Sequence, residues 1–115
     1  MMTSRSSSPN GRRLYILDAK DSPVEVFDHD AWSRWMSENE LVFRRTVLDE
    51  SGVTLTTRFR GMSDAKSGEA LLFVTRVAGM ADAQDNQGYA ASTLDDALEL
   101  HERLLQEIFR KLTGR

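Results

Sequence analysis

Residues 42–60 read Val42-Phe43-Arg44-Arg45-Thr46-Val47-Leu48-Asp49-Glu50-Ser51-Gly52-Val53-Thr54-Leu55-Thr56-Thr57-Arg58-Phe59-Arg60, and no other stretch constrains the architecture so tightly. Val53, Leu55, Thr57 and Phe59 alternate with Thr54, Thr56, Arg58 and Arg60, the period of a half-buried strand. Glu50-Ser51-Gly52 suits a three-residue hairpin loop in which glycine takes the left-handed position. In that register Val47 opposes Leu55 and Phe43 opposes Phe59 on one face. Arg44 then falls opposite Arg58 on the other, with Arg60 beside them.

The neighbouring segments supply partners for this hairpin. Upstream, residues 12–20 are rich in strand formers, Asp21-Ser22-Pro23 reads as a turn, and Val24-Glu25-Val26-Phe27 alternates as a second strand. Asp28 or Asp30 then caps a helix over residues 30–40, where Trp32, Trp35 and Met36 share one face. Downstream, residues 61–68 form a polar loop and residues 70–78 an apolar run suited to a central strand. After a polar loop at residues 79–88, Tyr89-Ala90-Ala91 adds a short edge strand. Ser92 or Thr93 starts the last helix, with Asp95 and Asp96 in capping-box position. Along it Leu94, Ala97, Leu98, His101, Leu104, Leu105, Ile108 and Leu112 form one stripe, and Gly114 suits its terminator.

The order is β-β-α-β-β-β-(β)-α. It predicts an α+β fold: an antiparallel sheet of four to six strands with two helices packed mainly on one face. The 115 residues, 40% apolar and 29% charged, suit one domain, expected over residues 12–115. Residues 1–11 are Ser-rich and lack the apolar content that offsets ordering, so a disordered tail is expected there.

Composition removes several kinds of chemistry. There is no cysteine, hence no disulfide, thiolate metal site or Cys nucleophile. No apolar run approaches the ~20 residues that cross a bilayer, and the N-terminus has no secretory pattern, so a cytoplasmic location and no membrane partner are expected. Net charge is −3 but segregated: residues 21–41 hold six acids and only Arg34, and residues 80–102 hold six acids and no Lys or Arg. Overall acidity argues against non-specific DNA binding, while segregation leaves room for a local anion-binding face.

The order of motifs resembles a family of small, mostly uncharacterised proteins encoded by phages and prophages. The matching pieces are Tyr15-Ile16-Leu17-Asp18, Trp32-Ser33-Arg34-Trp35, the strand from Val53 to Met62, Leu71-Leu72-Phe73-Val74-Thr75-Arg76-Val77, and Tyr89 through His101. This chain has Ser63-Asp64 where members of that family often carry Asp-His, and Val74 where they often carry Glu. The resemblance implies a fold and a phage-like origin, and no activity.

Ordinary structural roles compete with functional ones at each candidate residue. His101 could serve as a base or metal ligand, but it lies on the apolar helix stripe and no helical His-x-x-x-His pair accompanies it, so a structural role is expected. Trp32, Trp35 and Met36 are expected in the core rather than on a stacking platform. Asp82 through Gly88 only half resembles a calcium loop, and Asp95, Asp96, Glu99 and Glu102 are expected to be solvated. No Gly-x-Ser-x-Gly, P-loop or dinucleotide motif occurs, so no catalytic residue, metal or cofactor is assigned.

Arg44, Arg58, Arg60 and Arg76 remain as the candidate binding set, because like charges stacked across strands call for something to offset them: nearby carboxylates such as Glu25 or Asp28, or solvent, the ordinary outcome for strand arginines, or an anionic partner. A non-enzymatic binding protein of phage type, acting on a host protein with an acidic surface, leads the functional expectations. A nucleic-acid binder using the Arg strands and a small enzyme with an unrecognised site are the alternatives. The mixed sheet face also suits a second copy of the chain.

Overall fold

The computed structural model describes residues 12–48, 50–63, 70–81 and 84–114. Its elements are β1 (Arg13–Leu17), β2 (Pro23–Val26), α1 (His29–Glu38), β3 (Val42–Leu48), β4 (Val53–Phe59), β5 (Met62–Ser63), β6 (Phe73–Ala78), β7 (Gly88–Ala91) and α2 (Leu94–Leu112). The fold is α+β, in the expected element order except for β5, a two-residue strand inside the stretch expected to be a polar loop, which brings the strands among the described residues to seven. The strands divide between two antiparallel sheets, β2-β1-β5 and β3-β4-β6-β7. The tail, residues 1–11, lies outside the described residues.

The first hairpin turns on Asp18, whose carboxylate accepts from the backbone N–H groups of Lys20 (2.8 Å) and Ser22 (3.0 Å). Asp28 caps α1 by accepting from Asp30 N and Ala31 N. No residue of this helix is fully buried. Trp35 meets Phe59 edge-on at 5.9 Å, and Met36 packs beside it, so these two lie half-buried against the core instead of inside it. Trp32 Nε1 donates to the Gly61 carbonyl at 2.9 Å, and Tyr15 N donates to the same oxygen at 2.8 Å. Gly61 thus ties α1 and β1 to the chain leaving β4. Its φ of +75° and the nearness of Met36 Sδ to a would-be Cβ (2.7 Å) explain why glycine stands there.

Thr93 caps α2 by accepting from Asp96 N at 3.1 Å, as the capping pattern predicts. Ala97, His101, Leu104 and Ile108 are its buried stripe. Leu112 lies one turn beyond and stays exposed. Gly114 ends the helix at φ +82° with its N–H on the Lys111 carbonyl.

The buried residues form two apolar clusters. Leu17, Phe59, Leu72, Phe73, Ala91 and Ala97 join the two sheets near α1, and Val53, Leu55, Val77, Leu104 and Ile108 lie under the later part of α2. On β4, buried Thr57 falls between Leu55 and Phe59, and on α2, His101 falls between Ala97 and Leu104. A polar group therefore separates the clusters on both elements.

The central hairpin differs from its expected register. Leu48 pairs with Val53, so four residues rather than three connect the strands, and Arg45 faces Thr56 while Arg44 faces Thr57. A bulge between Val42 and Arg44 then brings Val42 opposite Arg58. Gly52 does take the left-handed conformation, with φ +77°. A one-residue slip exchanges the faces of a strand. Thr46 and Leu48 turn inward and Val47 turns outward, 52% exposed.

Candidate functional site

The four-stranded sheet has a covered face and an open one. Val53, Leu55, Thr57 and Phe59 of β4, with Phe73, Thr75 and Val77 of β6, are buried on the covered face. Arg58 and Arg76 alternate with them and are exposed. Cross-strand pairing defines two rows on the open face: Arg45, Thr56, Arg76 and Gly88, then Val42, Arg58, Val74 and Ala90.

Three of the four candidate arginines come together. Arg58, Arg60 and Arg76, with Val74, line a shallow depression of about 450 Å³. The fourth, Arg44, does not belong there. The register shift carries it to the covered side, where its guanidinium donates to Glu102 Oε2 on α2 at 3.1 Å. The expected stacking of Arg44 on Arg58 is therefore absent, because the longer loop and the bulge move it out of that row. Arg45, which the sequence reading passed over, occupies the open face instead. The signal available was the Arg44-Arg45 doublet itself, since only one of two adjacent strand residues can face each way.

Arg76 is held in place. Its Nη1 donates to the Asn86 carbonyl at 2.9 Å. Gly88, its cross-strand neighbour, leaves room for it: a Cβ there would lie 3.4 Å from Arg76 Nη2. Asn86 has φ +65° and its N–H bonds the Val77 carbonyl, which fixes the turn presenting that acceptor. Among the described residues, Arg45, Arg58 and Arg60 have no ion pair. The strands β3, β4, β6 and β7 contain no Asp or Glu.

His101 is fully buried and surrounded by hydroxyls. Thr57 Oγ1 lies 2.8 Å from Nδ1, and Thr46 Oγ1 lies 2.9 Å from Nε2. Thr57 is also hydrogen-bonded to Thr75. A neutral imidazole has one N–H and one bare nitrogen, and each finds a hydroxyl able to take the complementary role. Burial pushes the His101 pKa down, nearby Arg44 adds to this, and Glu102 opposes it. The neutral ring is sealed from solvent, which suits packing and not catalysis. Sequence reasoning missed the three threonines. Thr57 interrupting an apolar strand face, and His101 an apolar helix stripe, were the signals that the two meet.

The acidic candidates also resolve. Asp85 accepts from the backbone N–H groups of Gly79 (2.6 Å) and Met80 (3.0 Å), so it closes its own loop, while Asp82 lies outside the described residues. Among the described residues no group of three or more His, Cys, Asp or Glu side chains could hold a metal ion, and no helix is long and apolar enough to cross a membrane. No protein-family model, no curated protein and no solved structure matches this chain.

Proposed function

We propose that this is a small non-enzymatic binding protein of phage type, whose open sheet face engages an acidic surface of a host protein. The observation that supports this reading is the company kept by Arg45, Arg58, Arg60 and Arg76. They share an uncovered face with exposed Val42, and no carboxylate occurs in its four strands. An acidic partner would neutralise the arginines and cover the apolar residues between them.

Other occupants fit this face less well. It carries no aromatic side chain on which a nucleobase could stack, so charge is all it offers a nucleic acid. A second copy docked sheet to sheet would set arginine against arginine. Enzymatic chemistry at His101 would need a buried ring to reach substrate.

The test is affinity capture from a bacterial lysate with the unaltered chain and with the double variant Arg58→Gln/Arg60→Gln. A host protein retained by the first, lost by the second and released by salt supports the proposal. Equal capture by both overturns it. Retention of DNA or RNA alone, with steep salt dependence, transfers the face to the nucleic-acid alternative.

A further inference from the structure

We propose that the depression between Arg58, Arg60 and Arg76 is a binding site for a phosphate monoester. The inference rests on the reading that the open sheet face is the functional one, and it names the group that enters.

Three guanidinium-bearing residues line one shallow cleft with Val74. A carboxylate would offset one of these charges. A phosphate monoester carries close to two, with three acceptor oxygens, and so matches a cluster of three forks better. Arginine recognises such oxyanions through paired N–H donors in a rigid plane, which a lysine cluster would not supply.

Arg76 is already organised for the task. The Asn86 carbonyl engages its Nη1 and Gly88 opens space beside its Nη2. One edge of the guanidinium is thus anchored to the protein. Its remaining donors are available at the cleft, so less side-chain freedom is lost on binding. Arg58 and Arg60 lie two residues apart, at the end of β4 and just beyond it, and have no ion pair among the described residues. Thr56 sits directly across from Arg76 in the same row of the open face. The cleft is open at the sheet surface, so a phosphate on a larger molecule can enter it as readily as a free one.

The experiment is an NMR titration of the full chain at pH 7.5 and constant ionic strength, following the arginine Nε–H signals. Inorganic phosphate, O-phosphoserine and acetate are the probes. Saturable shifts at Arg58, Arg60 and Arg76 with phosphate and O-phosphoserine, and none with acetate, are expected. A stronger response to O-phosphoserine would identify a phosphorylated side chain as the source; an equal response would identify the free phosphoryl group. Arg58→Gln is expected to weaken binding about tenfold, the scale of one charge-assisted contact. Arg76→Lys keeps the charge and the chance to bond Asn86 but removes the fork, and is expected to weaken binding similarly.

Equal shifts with acetate, or none at millimolar phosphate, overturn the proposal. Loss of phosphate binding only in variants whose backbone spectrum is also altered overturns it too. Capture of an acidic host protein without any phosphate response would leave the broader function standing and this site refuted. Phosphate binding without host-protein capture would do the reverse.

Discussion

Thr57 Oγ1 lies 2.8 Å from His101 Nδ1, joining the centre of β4 to the buried stripe of α2. Through Thr57 the imidazole reaches Thr75 on β6, and through its other nitrogen Thr46 on β3. One side chain thus links three strands to the helix that covers them. Among the described residues no buried side-chain nitrogen or oxygen lacks a partner, so this polar insertion is fully satisfied.

Removing the ring should therefore act on stability. His101→Leu removes the ring partner of the Thr46 hydroxyl and leaves Thr57 with Thr75 alone, and is expected to cost about 2 kcal/mol, measured by urea unfolding. His101→Gln can keep part of the network and should cost less. Neither is expected to change partner capture, because the ring lies on the covered side of the sheet.

The same group makes stability depend on pH. The folded-state pKa of His101 lies below its ordinary value of 6.5, chiefly through burial. As pH falls through about 6.5 the unfolded chain takes up a proton that the folded chain refuses. Stability is thus complete above that pH and declines on acidification toward the folded-state pKa. Urea unfolding at pH 7.5 and 5.5 should show the decline in the unaltered chain and a smaller one in His101→Gln.

Arg44 and Arg58 should behave differently although both are exposed strand arginines. Arg44→Gln removes an exposed ion pair with Glu102 and is expected to cost under about 1 kcal/mol while leaving capture intact. Arg58→Gln/Arg60→Gln should keep stability within about 0.5 kcal/mol and lose capture. Parallel unfolding and capture measurements separate the two faces.

Gly61→Ala should be among the more damaging small substitutions. It forces alanine to φ +75° and crowds Met36. A loss of about 1–3 kcal/mol is expected. Trp32→Phe removes the hydrogen bond to the Gly61 carbonyl together with part of the indole ring that meets His29, and should cost about 1 kcal/mol or somewhat more. Thermal unfolding of both variants checks the order.

Deleting residues 1–11 should leave stability unchanged within about 0.5 kcal/mol, since that Ser-rich stretch has no packing residue beyond its Met pair. A clear fall in Tm would show that the segment docks.

Local sequence determined what depends on neighbours along the chain. Both helices, the Asp28 and Thr93 caps, the Gly52 turn and the exposure of Arg58 and Arg76 follow from spacing within each element, and the structure has them there. Tertiary structure alone decided what depends on register and on which elements meet. Val42-Phe43-Arg44-Arg45-Thr46 has no strict alternation, so its own pattern tolerates a one-residue slip, and packing selects the bulged pairing that half-buries Leu48 and Phe43 against the two clusters. The division into two sheets likewise depends on where Gly61 turns the chain, and the partners of His101 come from two strands distant in sequence, with a third reached through Thr57. Periodicity reports which face a residue occupies. Only packing of the two layers brings a threonine on one face against a histidine on another.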